Sequence, residues 1–281
     1  MEDLLFQEFV NKATDKGLDD IIRCNAVQEL AKTHDRRLYP LFLDIIRTGT
    51  GYVRDDTILS AGISQDSRFL FPLFNIFNSV SLVEREKVLM ALGELKDPRS
   101  LEFLQQLITS DDEAIPQIAS SAYSKVIKSI GAPFLYRFVN SEDTRKEAEN
   151  SSGYIEVDDV NSLVNKKDII FHRLNRDIPQ TYVVLPNKKL RIGGFLHEHV
   201  EVASGNDVLT AGEIRFDEYT LEVIYINNRS NGYYPDSSSF RYVTESLRDT
   251  SLLKQTEFNE IFPRDGFTDQ DLLRMFPFYR E

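Results

Sequence analysis

One residue pattern recurs along the first half of this chain at a fixed offset of 31 positions. Arg23, Arg54 and Arg85 each open a helix-length stretch with apolar residues at helical spacing. These are Ala26, Val27 and Leu30, then Thr57, Ile58 and Ala61, then Val88, Leu89 and Leu92. An aspartate follows at the same place in each copy (Asp35, Asp66, Asp97), and an arginine two residues later (Arg37, Arg68, Arg99). A second apolar stretch closes each copy, over 38–46, 69–77 and 101–108. Self-similarity at a period of about 20–50 residues marks stacked two-helix units. A single unit cannot bury its own apolar face, so neighbours must stack into a continuous core. The aspartate suits the start of the second helix, where its carboxylate accepts from the first free backbone N–H groups. Its arginine can reach the aspartate of its own or the next copy. Pro98 fits the first turn, where a missing N–H costs nothing.

The segment Ala91-Leu92-Gly93-Glu94-Leu95-Lys96-Asp97-Pro98-Arg99 resembles the repeat core of short bacterial HEAT proteins, those similar to phycobilin-lyase HEAT-like repeats. The second copy departs from that motif at 60–68, and the first has Ala31 where the motif has glycine. The resemblance spans roughly residues 20–130 and implies an α-helical solenoid that offers a long concave face to partners. Residues 115–130 supply a degenerate fourth unit, with Ala122 one period after Ala91, and residues 4–20 supply a cap at the other end. Phe69, Phe71, Phe74 and Phe77 read as stacking core.

The 281 residues suggest two domains at about 100–200 residues each. The net charge is −12 and is evenly shared: residues 1–150 carry 18 basic and 24 acidic side chains, residues 151–281 carry 15 and 21. Such a surface repels phosphate backbones and anionic lipid, which argues against free nucleic acid and membranes as partners and favours a basic protein. Cys24 is the single cysteine, so neither an intrachain disulfide nor a Cys-rich zinc site can form. The first residues show no basic n-region or apolar signal run, and no stretch approaches about 18 consecutive apolar residues. A cytoplasmic location is expected.

The helical pattern stops near Phe138, and the polar run 139–153 reads as a linker with at most one exposed helical turn. From Tyr154 the period becomes two, with β-branched residues. Strands are expected over 181–185, 189–192, 199–203, 208–216 and 221–226, followed by helices over 238–247 and 268–276. The expected architecture is a helical repeat domain (1–138), the linker, and a smaller α+β domain (154–281) with a mainly antiparallel sheet. Residues 181–247 resemble an uncharacterised bacterial domain that carries an Ala-Gly-Glu strand, here Ala211-Gly212-Glu213, and a Gly-Tyr-x-Pro turn, here Gly232-Tyr233-Tyr234-Pro235. That resemblance implies a shared fold and an association with toxin and antitoxin neighbourhoods.

Several chemistries can be drawn from the second half. His197 and His199, two apart on a strand, would share a face, and Glu213 could complete a His₂-carboxylate metal set. The commoner outcome for such residues is exposed histidines beside a turn, and no metal or cofactor is expected. Ser237, Ser238 and Ser239 with His197 and Glu213 could be drawn as a hydrolase triad, but no Gly-x-Ser-x-Gly elbow exists. The turn 227–235 offers Gly232 for a positive φ, backbone N–H groups and Arg229 for an anion, and Tyr233 and Tyr234 for stacking. Arg191 or His197 with Glu213 would be an ADP-ribosyltransferase-like arrangement. No P-loop or Gly-x-Gly-x-x-Gly is present. A binding protein is therefore favoured over an enzyme: a cytosolic bacterial immunity protein that neutralises a basic toxin by direct contact. Asp35, Asp66, Asp97, Arg229, Tyr233 and Tyr234 are its expected binding residues. The alternative is a nucleotide- or ADP-ribose-related enzyme using His197, His199, Glu213, Arg229 and Tyr233.

Overall fold

The computed structural model describes residues 2–111, 114–157, 160–164, 178–194, 196–217 and 219–261. The chain divides into two compact units, Met1–Ala132 and Pro133–Glu281.

Unit 1 contains α1 (Glu2–Thr14), α2 (Asp20–Ala31), α3 (Leu38–Thr48), α4 (Gly51–Ile63), α5 (Leu70–Phe77), α6 (Leu82–Leu95), α7 (Leu101–Ile108) and α8 (Ile115–Ser129). Helices α2, α4 and α6 begin at residues 20, 51 and 82, so the period of the sequence is a period of the structure. One layer holds α1, α2, α4, α6 and α8 side by side; α3, α5 and α7 form a second, each against the first-layer helix that follows it. The repeat arginines have a common job. Arg23 Nε donates to the Ala13 carbonyl at 3.3 Å, Arg54 Nε to that of Ile46 at 2.7 Å, and Arg85 to that of Asn78 at 3.3 Å. Each thereby satisfies a carbonyl that the end of the preceding helix leaves without an intrahelical partner. Small residues let the first layer close up. A Cβ at Gly62 would lie 2.1 Å from the Ala91 carbonyl oxygen, while one at Gly93 would lie 3.0 Å from Ala122 Cα. In the second layer the tilted Phe74 and Phe103 rings meet at 4.6 Å and Phe77 meets Phe103 edge-on at 5.3 Å; Phe69, Phe71 and Phe77 are core, while Phe74 is half-buried.

Unit 2 is built on a six-stranded sheet in the order β1-β3-β2-β4-β5-β6. The strands are β1 (Tyr154–Val157), β2 (Gln180–Val184), β3 (Leu190–Gly193), β4 (Thr210–Phe216), β5 (Val223–Asn227) and β6 (Glu257–Asn259). All pairings are antiparallel except β5 with β6, which is parallel. Its helices are α9 (Glu142–Ala148), α10 (Val160–Val164), α11 (His199–Val202) and α12 (Phe240–Leu247). One sheet face, with Tyr182, Val184, Ile214 and Ile226, packs against Tyr242, Val243 and Leu247 of α12. The other, with Val183 and Ala211, packs against Val200 and Val202 of α11, Tyr136, Phe138 and Tyr233. Every residue of β2 is buried, which explains its near-continuous apolar run in place of an alternating one.

Two expectations are corrected here, and a third falls outside the described residues. The segment expected as a linker is part of unit 2. Tyr136 bridges Val208, Val139 N donates to the Gly232 carbonyl at 2.9 Å, and Ala148 of α9 is buried. The boundary therefore falls at 132/133, because Tyr136 and Phe138 are core aromatics of the second unit. The strand expected over 199–203 is α11, set by a reciprocal capping box between Glu198 and Glu201 that satisfies two N-terminal N–H groups. The helix expected over 268–276 lies outside the described residues.

Candidate binding face and the predicted site residues

The three repeat aspartates close turns. Asp35, Asp66 and Asp97 accept from the backbone N–H of Arg37, Arg68 and Arg99 at 2.8, 3.1 and 3.0 Å. The same carboxylates take the guanidinium of that arginine side-on. Links between copies run to backbone carbonyls: Arg68 donates to Arg36 O at 2.7 Å and Arg99 to Ser67 O at 3.4 Å, while Arg37 reaches Asp3 of α1. Asp66 and Asp97 are 1% and 0% exposed. For these two the expected role in binding is replaced by a structural one, because a carboxylate sealed against its own guanidinium has no surface to offer; the Asp35 side chain stays 26% exposed.

The expected site residues of unit 2 are dispersed. His199 Nε2 donates to the Gly212 carbonyl at 3.0 Å from a half-buried position. His197 packs against Gly153 and Gly193, and its carbonyl accepts from Thr181 Oγ1. Glu213 accepts from Asn227 Nδ2 at 2.8 Å. Arg191 is committed to Glu156, Ser204 and the Tyr154 ring, so it is not poised for a dinucleotide. Tyr233 and Tyr234 are buried, with the Tyr233 hydroxyl donating to Asn206 O at 2.7 Å, so neither ring is open to a base. The positive φ of this turn sits at Tyr234 (50°) rather than at Gly232, whose missing side chain instead makes room for the Phe138 ring. Arg229 is exposed, and its backbone N–H donates to Asn227 Oδ1 at 2.9 Å. Ser239 bonds Thr210 on the sheet face opposite Glu213, which separates the serine run from that carboxylate. Among the described residues no three His, Cys, Asp or Glu side chains converge as a metal set.

The residue that organises this region is Asn227, at the end of β5. Its amide accepts from Glu213 N and Arg229 N at 2.9 Å each, and donates to Glu213 Oε2 and to Tyr225 Oη. All four hydrogen-bonding capacities of the side chain are used. Gly212 permits this: a Cβ there would fall 1.9 Å from the Asn227 carbonyl oxygen.

Burial drives the His199 imidazole down to about 4, against a smaller upward pull from the Gly212 carbonyl. The unfolded chain takes up this proton near pH 6.5. Between those values the unfolded state holds more protons, so stability falls as pH drops through the window and is unaffected by this group above it. The full window is worth up to about 3 kcal/mol. Urea unfolding at pH 7 and pH 4.5 should show the loss in the native protein and a flatter dependence in His199→Gln. An equal slope in both would assign the titration elsewhere.

The open surface lies in unit 1, on the outward side of α2, α4 and α6. Ile21, Tyr52 and Val83 occupy the same position in three successive copies, two residues before each repeat arginine, and are 71%, 77% and 58% exposed. Leu82 and Met90 of α6 are exposed as well, at 47% and 40%. Asp55, Asp56 and Glu86 flank these apolar positions, and none has an ion-pair partner within 4 Å among the described residues; Lys87 partly offsets them. Burial, reinforced by Glu84, raises the Asp55 carboxyl. Between α2 and α4 a depression of about 370 Å³ is lined by Asp20, Ile21, Cys24, Asn25, Gln28, Tyr52 and Asp56. Protein-family models and the curated proteins contain no match to this chain. The geometry is therefore the evidence for function. The 31-residue alignment does contain the signal for this face, as a column of apolar residues at helix starts where a solvated helix would carry charge.

Among the described residues no helix is long and apolar enough to cross a membrane.

Proposed function

We propose that this chain is a protein-binding module, with unit 1 a HEAT-like stack and the outward side of α2, α4 and α6 its contact face. The carrying observation is the column Ile21–Tyr52–Val83, exposed at equivalent positions in three copies beside acids that have no ion-pair partner among the described residues. Apolar patches rimmed by polar residues mark interaction sites. Acidic rims speed encounter with a basic partner and reject phosphate-bearing ones. The narrower reading is a cytoplasmic immunity protein that covers a basic toxin. It rests on the net charge of −12 and on the resemblance of residues 181–247.

The test is co-purification from the native cell with mass spectrometry, run in parallel on the unaltered chain and on Ile21→Glu/Tyr52→Glu/Val83→Glu. A specific partner should be retained by the first, weaken steeply with salt, and fall by at least about tenfold in the second, since buried interface anchors are worth about 2 kcal/mol or more. Leu4→Glu, an exposed apolar position on α1, serves as the control and should retain the partner. Equal recovery by the triple variant removes the face from the interface.

A further inference from the structure

The depression between α2 and α4 has an unusual lining. Its rim is apolar and stands in solvent, with Ile21 on one helix and Tyr52 on the other. Its polar groups are nearly all acceptors or neutral. Asp56 is held in place by Gln28 Nε2, which donates to Oδ2 at 3.0 Å, and the Cys24 thiol lies in the same lining. Burial, with Asp56 and Asp20 close by, pushes that thiol up to about 11, so it remains a neutral donor rather than a thiolate. Asp20 keeps a single contact of 3.3 Å with Arg23. The lining carries two carboxylates and no cationic side chain.

We infer that this depression receives an arginine side chain of the partner protein, its guanidinium on Asp56 and Asp20 and its stem between Ile21 and Tyr52. The assignment rests on the proposed contact face and specifies the chemistry of its occupant. Three features select arginine. Two carboxylates in one lining offer more acceptor positions than a single ammonium uses, and a guanidinium carries five donors in a planar fork. The exposed Tyr52 ring gives the guanidinium plane an electron-rich surface. The volume, about 370 Å³, is at the small end for ligand clefts and suits one long side chain rather than a folded element. Phosphate-bearing ligands are repelled by the same carboxylates. In the neighbouring copy the positions equivalent to Cys24, Asn25 and Gln28 are Asp55, Asp56 and Leu59, so the lining is not repeated along the stack. The column Ile21–Tyr52–Val83 would then seat the apolar residues flanking that arginine.

The test uses the full chain labelled with ¹⁵N and a capped heptapeptide carrying one arginine between two leucines. Matched peptides carry lysine or citrulline instead; citrulline keeps the shape and removes the charge. The arginine peptide should shift the backbone resonances of Ile21, Gln28, Tyr52 and Asp56 saturably. Citrulline should bind at least about tenfold more weakly, the worth of a charge-assisted hydrogen bond. Asp56→Asn should cost about tenfold for the same reason, and Tyr52→Leu about two- to fivefold from loss of the ring face. Both variants should melt at the unaltered temperature. Citrulline or lysine binding as tightly as arginine, shifts that map elsewhere, or no effect of Asp56→Asn would each overturn the assignment. The two proposals fail separately. A partner lost from the triple variant, with no arginine binding, leaves the face and removes the pocket. Arginine binding, with the partner retained by the triple variant, leaves the pocket and removes the face.

Discussion

Arg99→Met should destabilise unit 1 by about 3–5 kcal/mol, while the equivalent change Arg37→Met should cost about 1 kcal/mol or less. The chemistry is the same in both turns, and the difference is burial. The side chains of Arg99 and Asp97 are 1% and 0% exposed, those of Arg37 and Asp35 54% and 26%. Removing Arg99 strands the Asp97 carboxylate in a dry site, where a charge without its partner is expensive. Removing Arg37 exchanges solvated contacts with Asp35, Asp3 and the Phe6 ring for water. Arg68, 7% exposed beside an Asp66 that is 2% exposed, belongs with the costly class. Denaturant unfolding of the full chain, followed by a probe in unit 1, reads the series directly. Equal losses for Arg37→Met and Arg99→Met would mean that the buried geometry is not what holds the turn.

Gly62→Ala should cost about 1–3 kcal/mol even though alanine is the better helix former by about 1 kcal/mol. The new Cβ would lie 2.1 Å from the Ala91 carbonyl oxygen and 2.6 Å from Ala91 Cα. Both are backbone atoms, so relief requires α4 and α6 to separate, and the close packing of the first layer goes with it. Gly93→Ala is the internal comparison. Its nearest neighbour would be Ala122 Cα at 3.0 Å, a contact that a shift of a few tenths of an ångström relieves. The helix-propensity gain then offsets the strain, and stability should stay within about 1 kcal/mol of the native value. A neutral Gly62→Ala would show that the α4–α6 spacing is set elsewhere.

The repeat was legible because stacked units reuse one solution. Capping, carbonyl capture and close packing each demand a particular residue, so Asp, Arg and small residues return every 31 positions. The helices of unit 1 and four of the strands of unit 2 follow from such patterns. What stayed hidden depends on burial and partner choice, which no spacing reveals. Asp66 and Asp97 looked available for a partner because an aspartate at fixed intervals serves a cap and a contact equally well. Tyr233 and Tyr234 looked like a stacking pair, yet they are core. The parallel strand β6 has three exposed residues and no alternation to announce it. At 199–203 alternate burial of Val200 and Val202 imitated a strand, while the Glu198–Glu201 capping box, visible in the sequence, decided for a helix. The candidate face was legible in the same alignment, in the apolar column rather than the acidic one.

The graded sealing of the three Asp–Arg turns sets a direction along the stack. In a quasi-one-dimensional array each unit is held by its own energy and by its neighbours, so unequal turns make unequal opening energies. The weakest closure is the water-exposed Asp35–Arg37 turn between α2 and α3, and the strongest is the Asp97–Arg99 turn between α6 and α7. The array should therefore open first on its amino-terminal side, at the turn with the most exposed closure. The depression between α2 and α4 lies toward that side. An occupant bridging those two helices would bind the closed form alone, and its affinity would be transferred by mass action to the segment with the least cohesion of its own.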